Sequence, residues 1–388
     1  MRIAITALRL DPHHGGAGAW TFAFARWLLD RGQDIHLVGC RAGSNLDFPL
    51  DRVVCLPARH NRLQVAEEFK SWLDARSFDL VHDMGVGVEF DIFHSHFGSY
   101  AAMEQAREKS WNRIDRLIRK MVYPLSRRKQ SIKRLISQQF SNQDACFVGV
   151  SKMVSEDLVQ LEGIRPHQVR CIPNGVDVER YHPDTCREIR EYARNKFSID
   201  PDTIVLSVVA HNFRLKGIPQ LVEAIGTIRD FPCKLHLLVI GGHRQKRQES
   251  SVGKHRVTYT GAIDFTEVVY AASDAYIHPT FYDACCLAVL EAMACGLPVI
   301  TTMTNGACER IVHGRSGFIM TDTYDHQGLM ESLLKLTDPV LRHQVGNEAR
   351  IEALRWTQTD NFLAMEQLYE DIIAAKTDHI AVNSRMAA

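Results

Sequence analysis

The sequence predicts an α/β protein made of two Rossmann-like, doubly wound parallel-sheet domains. Its 388 residues exceed one ordinary core and fit two domains of about 150–200 residues each. In both halves, short apolar strands alternate with amphipathic helical segments, which is the pattern of a parallel sheet covered on both faces. Residues 173–183 carry two prolines and an Asn-Gly pair, the composition of a hinge. Residues 1–172 and 184–355 are therefore predicted as the two domains.

The composition is that of an ordinary globular chain without a net charge. Apolar residues make up 45% and charged residues 24% of the sequence, which excludes wholesale disorder. Lys plus Arg and Asp plus Glu each number 46, so no global field attracts nucleic acid. The ten cysteines include no C-x-x-C pair, and no apolar run approaches the ~18 residues that span a bilayer. We expect a reducing, cytoplasmic location and no signal peptide.

The first domain is predicted to open with a strand, a glycine loop and a helix. Residues 2–8 form an apolar strand, and apolar side chains then recur at helical spacing until Gly32 ends the helix. The loop at residues 13–18 contains Gly15 and Gly16, and it either binds an anion at the helix N-terminus or forms a tight turn. Further strands are predicted at 34–39, 52–56, 80–83, 92–94 and 146–150.

The second domain is predicted to repeat this order and to end in a helix. Its strands are predicted at 203–209, 234–240, 257–260, 275–277 and 299–301. Arg214 and Lys216 follow the first of these strands, at the sheet edge where doubly wound domains bind phosphate. The alternative for this pair is a solvated basic turn. Residues 356–376 are predicted as a terminal helix packing across the domains, and residues 377–388 as a frayed tail.

Two carboxylates, Asp283 and Glu291, lie eight residues apart in the second domain. The sequence predicts Asp283 in a loop and Glu291 in a helix that starts near Cys286. Both carboxylates and the N–H groups of the helix N-terminus would then line one pocket, with acceptors for sugar hydroxyls and donors for phosphate. Taken singly, Asp283 is typical of a helix cap and Glu291 of a solvated face. Together with Lys216, the pocket is favoured.

The order of these motifs resembles the large retaining glycosyltransferase family with the glycosyltransferase-B fold. The resemblance runs over nearly the whole chain and rests on VSKMV at 150–154, PNGVD at 173–177, RLKG at 214–217 and the D-x7-E motif at 283–291. It implies two Rossmann-like domains with a cleft between them, an acceptor side in the first domain and a nucleotide-sugar donor site in the second. The basic segment described below is similar to that of the subgroup that builds lipopolysaccharide cores.

The resemblance implies a role for each matching residue. Asp283 would contact the transferred sugar, Glu291 the nucleotide ribose, and Lys216 with Arg214 the diphosphate. The family usually has Glu at the position of Asp283 and Arg at the position of His211. No metal or other cofactor is expected, because cations and a helix N-terminus neutralise the diphosphate in this fold. The remaining donor-binding residues are predicted to be Gly15, Gly16, Ala284, Cys285, Cys286 and Leu287.

Catalysis on the acceptor side is predicted to involve two histidines. Many relatives place a histidine after the fourth strand of the first domain, where this sequence has Met84. His94 and His96 are the nearest substitutes, and at alternate positions of a strand they would face the same side. The alternative is that both are structural histidines.

The segment 107–134 is strongly basic and amphipathic. It contains eleven basic and two acidic residues, a local charge of +9. This pattern is typical of a helix that lies on an anionic membrane surface, or of one that packs on its own domain, and the resemblance favours the membrane. The apolar residues that recur at helical spacing are Trp111, Ile114, Leu117, Ile118, Met121, Val122 and Leu125.

These features predict a retaining transferase that moves a hexose from a nucleoside diphosphate donor, with UDP-glucose as the expected donor. The expected acceptor is a hydroxyl of a lipid-linked or cell-envelope glycan such as lipopolysaccharide core. The transferase would act in the cytoplasm, with peripheral contact to the inner face of the membrane. The alternative is a non-catalytic nucleotide-sugar-binding or membrane-surface scaffold. A nicotinamide dehydrogenase is disfavoured, because Thr21 stands where the dinucleotide fingerprint requires its third glycine.

Overall fold

The computed structural model describes residues 1–13, 15–44, 46–59, 61–122, 126–242 and 247–386. The chain divides into two units. The first comprises Met1–Ala101, Asn112–Pro173 and Asp360–Ala388, and the second comprises Ala102–Trp111 and Asn174–Thr359. Apart from Ala102–Trp111, the chain therefore leaves the first unit within the predicted hinge and returns to it near the end.

Helices and strands alternate through the first half of the chain, as predicted. In chain order the elements are β1 Arg2–Thr6, β2 Arg9–Leu10, α1 Gly15–Asp30, β3 Asp34–Gly39, β4 Arg41–Ala42, β5 Val53–Cys55, α2 Arg62–Asp74, β6 Leu80–Asp83, β7 Ile92–Ser95, α3 Tyr100–Lys109, α4 Arg113–Val122, α5 Arg127–Phe140, β8 Cys146–Gly149, α6 Lys152–Gln160 and β9 Val169–Cys171. Seven strands form a parallel sheet in the order β5-β3-β1-β6-β7-β8-β9. All six predicted strands are members of it.

The second unit is a similar sheet with one antiparallel edge. Beyond the hinge, its elements are α7 Pro183–Lys196, β10 Thr203–Val209, α8 Ile218–Thr227, β11 Lys234–Ile240, β12 Gln248–Val252, β13 His255–Gly261, α9 Glu267–Ala272, β14 Ala275–His278, α10 Leu287–Ala294, β15 Val299–Thr302, β16 Phe318–Met320, α11 His326–Lys335 and α12 Pro339–Ala353. The strand order is β12-β13-β11-β10-β14-β15-β16, and β12 alone of these is antiparallel to its neighbour. The predicted fold class, two parallel-sheet α/β domains, is confirmed.

The terminal helix α13 spans Gln358–Met386. It continues past the predicted end at residue 376, since no proline or glycine follows to stop it. Phe362, Met365 and Tyr369 on this helix pack into the core of the first unit, together with Trp20. That its packing also crosses the domains stays a prediction.

Two loops at the carboxyl edge of the second sheet are locked together by backbone contacts. One follows β10 and carries Lys216, and the other follows β14. The amide of Phe281 donates to the Leu215 carbonyl over 2.9 Å. Gly217 has φ of +69°, and an added Cβ would lie only 2.0 Å from the carbonyl oxygen of Pro279. A side chain at residue 217 would therefore separate the loops that carry the predicted site.

Candidate active site

Asp283 lies in the loop after β14 and meets two donors through a single oxygen. The Lys216 ammonium lies 2.5 Å from Asp283 Oδ2. His278, the last residue of β14, places its Nε2 atom 2.9 Å from the same oxygen. Lys216 also donates to the Tyr282 carbonyl over 3.3 Å. We call Lys216, His278 and Asp283 the carboxylate cluster; the sequence predicted two of its three members.

The electrostatics of the carboxylate cluster favour an ionised Asp283. Burial alone would raise the pKa of this carboxyl, but the Lys216 ammonium and the hydrogen bond from His278 outweigh it and hold the pKa well below its ordinary value. Burial lowers the pKa of His278, against the opposing effect of Asp283. The cluster therefore pairs one cation and one anion with a neutral imidazole.

The second carboxylate lies on α10, as predicted, and is hydrogen-bonded to a tyrosine. Glu291 Oε2 accepts a hydrogen bond of 2.6 Å from the Tyr270 hydroxyl. Burial raises the pKa of Glu291, and the Tyr270 hydrogen bond only partly opposes this. At the start of the helix, the Cys286 amide donates to Asn305 Oδ1 over 3.2 Å. For the Leu287 amide, no hydrogen-bond acceptor is found within the described part of the chain.

Three histidines form a second buried cluster, in the first unit. His82 Nε2 lies 3.1 Å from His94 Nδ1, and the ring of His96 lies 4.1 Å from that of His94 between centroids. Trp20 contacts both of the predicted histidines, with centroid distances of 4.5 and 4.8 Å. His82 Nδ1 is 2.5 Å from the Tyr369 hydroxyl. We call His82, His94 and His96 the imidazole cluster.

The imidazole cluster is neutral and incompletely hydrogen-bonded. Burial lowers the pKa of His82 and His96 to about 3, and it lowers that of His94 well below the ordinary value. The Nε2 atoms of His94 and His96 are buried, and neither has a hydrogen-bond partner among the residues that the structure describes. The structure thus brings the two predicted histidines together, and adds His82.

Comparison with known proteins identifies the family. Residues 202–338 match the family model described as glycosyl transferases group 1, and residues 14–180 match the one described as glycosyltransferase family 4. The chain is 26% identical to the D-inositol 3-phosphate glycosyltransferase of Corynebacterium jeikeium (strain K411) over 310 residues, 74% of this chain and 73% of the relative. It is also 26% identical to the lipopolysaccharide glucosyltransferase WaaG of Escherichia coli (strain K12) over 220 residues, 55% of this chain and 58% of WaaG.

The chain is a glycosyltransferase that carries a group 1 glycosyltransferase domain in its second half.

Solved structures agree with this fold. The crystal structure of WaaG aligns with a TM-score of 0.77 at 19% identity, over 95% of this chain and 99% of that one. Anabaena Alr3699/HepE in complex with UDP-glucose aligns with a TM-score of 0.71 at 17% identity, over 95% and 100% of the two chains. This glycosyltransferase therefore has the predicted glycosyltransferase-B type of fold. The family matches show that it is an enzyme.

Other predicted donor-binding residues of this glycosyltransferase lie near helix ends. Gly15 and Gly16 begin α1, and Gly15 has φ of +80°, while His14 in the same loop lies outside the described residues. Arg214 is exposed on the loop of Lys216. The other four residues lead into or begin α10: Ala284 and Cys285 in the loop, Cys286 as its N-cap and Leu287 as its first residue.

One group of possible metal ligands is found among the described residues of the glycosyltransferase. The ligand atoms of His278, Asp283 and Cys286 lie within 4.8 Å of one another. They contact each other, however, and the Lys216 ammonium lies against the same carboxylate oxygen. A cation there would have to displace that ammonium, so we assign the group no metal.

The basic segment is divided among three helices instead of one. It covers the end of α3, all of α4 and the start of α5, with Ser110–Asn112 between the first two. On α4 the apolar side chains of Ile114, Leu117, Ile118 and Met121 are 54 to 72% exposed. Leu125 and the side chains of Arg113, Arg119, Lys120 and Val122 lie outside the described residues. Among the helices that the structure describes, none is long and apolar enough to cross a bilayer.

Proposed function

We propose that this glycosyltransferase retains anomeric configuration and moves a glucosyl residue from UDP-glucose to a hydroxyl of a lipid-linked or cell-envelope glycan, such as lipopolysaccharide core. The observation that carries the proposal is the carboxylate cluster at the edge of the second sheet. It joins a lysine suited to a diphosphate and an ionised carboxylate suited to sugar hydroxyls. Glu291 lies on the helix that follows directly.

The proposed reaction breaks the bond between the anomeric carbon and the phosphate oxygen while the acceptor oxygen bonds to the same face. The acceptor proton passes to the departing phosphate oxygen. Negative charge grows on the diphosphate, and Lys216, Arg214 and the N–H groups at the start of α10 would stabilise it. Asp283 would hold the sugar hydroxyls through a contact that strengthens as the reaction proceeds. We propose that no divalent ion takes part, so that activity should survive a chelator.

The choice of donor and acceptor draws on the relatives. HepE, whose structure contains UDP-glucose, and WaaG, named a glucosyltransferase, support UDP-glucose as the donor. WaaG also supports a lipopolysaccharide acceptor. The Corynebacterium jeikeium relative covers more of the chain, which favours D-inositol 3-phosphate as the second candidate acceptor.

A thermal-stabilisation screen of nucleotide sugars tests the donor first. A ligand that binds only the folded state raises the melting temperature, so UDP-glucose should stabilise the protein more than UDP-galactose, ADP-glucose or GDP-mannose. Turnover is then measured with the preferred donor and either truncated lipopolysaccharide or D-inositol 3-phosphate. Transfer to the inositol phosphate alone would replace the proposed acceptor, and donor binding without any turnover would contradict the proposed reaction.

We also propose that α4 holds the enzyme on an anionic membrane surface. Its apolar face is exposed, which favours the membrane over packing on its own unit. Cations accompany it along the chain, including the half-buried Arg116 on α4 and Arg127 and Arg128 at the start of α5. An interfacial helix needs this combination of apolar side chains and cations.

A further inference from the structure

Within the carboxylate cluster, His278 also contacts a side chain outside it, that of Cys286. His278 is 1% exposed, and both of its ring nitrogens are engaged. Its Nε2 atom lies 2.9 Å from Asp283 Oδ2. Its Nδ1 atom lies 3.8 Å from the Cys286 sulfur. Cys286 is the N-cap of α10, so the contact ties that helix to the end of β14.

The protonation states along this chain follow from what each atom can do. A neutral imidazole carries one N–H, and an ionised carboxylate can only accept. The hydrogen of His278 must therefore lie on Nε2, where it faces Asp283, which leaves Nδ1 as an acceptor. Burial raises the pKa of the Cys286 thiol, so Cys286 keeps its S–H and can donate to Nδ1. Cys286 thus favours the tautomer that Asp283 requires.

Two donors, one on the loop after β10 and one at the end of β14, consequently hold Asp283 by Oδ2. Within the described residues no side-chain hydrogen bond reaches its other oxygen, Oδ1. Lys216 is needed elsewhere, because it is also the proposed partner of the donor diphosphate. If Lys216 turned to the phosphates and nothing else bound Asp283, a largely buried carboxylate would lose its stabilisation.

We infer that His278 is a positioning residue, which with Cys286 keeps Asp283 ionised and aims Oδ1 at the transferred sugar while Lys216 engages the diphosphate. The inference rests on the proposed role of Asp283 as the sugar-binding carboxylate. It assigns His278 no contact with the substrate; its effect passes through Asp283.

Two substitutions of His278 separate positioning from packing. The amide nitrogen of Gln can occupy the place of Nε2 and donate to Asp283, whereas the shorter Asn reaches only the place of Nδ1. His278→Gln should keep kcat within about threefold of wild type, and His278→Asn should lower it about tenfold or more, with donor KM changed little. Equal kinetics of the two variants would overturn the inference, and matched melting temperatures would show that both variants are folded.

Coupling to Asp283 gives a second test. In an Asp283→Asn background, His278→Asn should change kcat by less than about twofold, because the charge that His278 serves is gone. The same tenfold loss in both backgrounds would mean that His278 acts independently of Asp283. If Asp283→Asn alone leaves kcat unchanged, the proposed role of Asp283 fails. If it lowers kcat while both His278 variants behave as wild type, only the present inference fails.

The tautomer itself is measurable by ¹⁵N NMR of histidine-labelled protein, with the His278 signals identified by their loss in His278→Gln. The expected spectrum at neutral pH shows a neutral ring with its hydrogen on Nε2, because burial lowers the pKa of His278. A hydrogen on Nδ1 would contradict the inference. Cys286→Ser, which keeps a donor, should preserve the tautomer better than Cys286→Ala.

Discussion

The two buried polar clusters of the molecule differ in how their charges are balanced. In the carboxylate cluster a cation and a neutral ring converge on one oxygen of an anion. In the imidazole cluster three neutral rings lie together, and two of them bury an Nε2 atom without a partner in the described chain. The first arrangement is ready to exchange a partner for a charged ligand. The second is stable only while its rings remain unprotonated. Ligand binding should therefore test the carboxylate cluster, and a change of pH should test the imidazole cluster.

The largest expected effect concerns the basic segment on α4 and the start of α5, in the same unit as the imidazole cluster. Changing four cations of the basic segment to Gln should weaken binding to anionic vesicles by about 4 kcal/mol, near a thousandfold, at about 1 kcal/mol for each cation. Binding should fade as the Debye length falls from ~10 Å at 0.1 M salt to ~3 Å at 1 M. The four substituted residues are Arg116, Arg119, Lys120 and Arg127.

Vesicle sedimentation with anionic and zwitterionic lipids measures this effect. A matched control changes four exposed cations outside the segment and should bind as wild type does. Wild-type protein that stays in the supernatant with both lipids would mean that α4 only forms part of the first unit's wall. The control residues are Lys152, Arg165, Arg187 and Lys234.

In the carboxylate cluster, Lys216→Ala should reduce donor affinity and rate together. We expect a loss of about 2 to 4 kcal/mol in kcat/KM, since the charge is largely desolvated and serves both Asp283 and the diphosphate. Arg214→Ala, at the exposed position of the same loop, should lose less. Steady-state kinetics with UDP-glucose measure both. A Lys216→Ala enzyme with wild-type kinetics would place the donor site elsewhere.

In the imidazole cluster, acid should destabilise the first unit. Burial lowers the pKa of His96 to about 3, against ~6.5 in an unfolded chain, so the unfolded state binds more protons between these values. Stability contributed by the neutral ring is therefore present above pH ~6.5 and is lost as pH falls, by about 1.4 kcal/mol for each pH unit. At pH 5 this amounts to about 2 kcal/mol. Urea unfolding at pH 7, 6 and 5 should show a shallower loss for His96→Gln, and parallel curves would contradict a buried neutral His96.

Much of the site could be predicted because its spacing carries the chemistry. Asp283 and Glu291, separated by one loop and one helix start, lie where the motif predicts them. His278 was missed because it ends a buried strand and its sequence neighbours give no sign that its ring turns toward Asp283. That contact exists only through the loop that folds back after Pro279.

Elements without an apolar signal were also missed. β12 has the sequence QESSV and is mostly exposed, so neither alternation nor a hydrophobic run marks it as a strand. The sequence also gives no signal for the break between α3 and α4, because the helical spacing of apolar residues in the basic segment continues through Trp111. The alternation of side chains along a strand predicted that His94 and His96 lie close together, and they do. That argument is incomplete, because β7 ends at Ser95 and His96 lies outside it.

The most direct test of the account compares Asp283→Asn with Glu291→Gln in steady-state transfer from UDP-glucose. Asp283 is proposed to touch the reacting sugar and Glu291 the ribose, so the first variant should lower kcat with little change in donor KM, and the second should raise donor KM with kcat nearly intact. NMR of the product should show the anomeric configuration of the donor. Equal effects of both variants on both parameters, or a product of inverted configuration, would contradict the account.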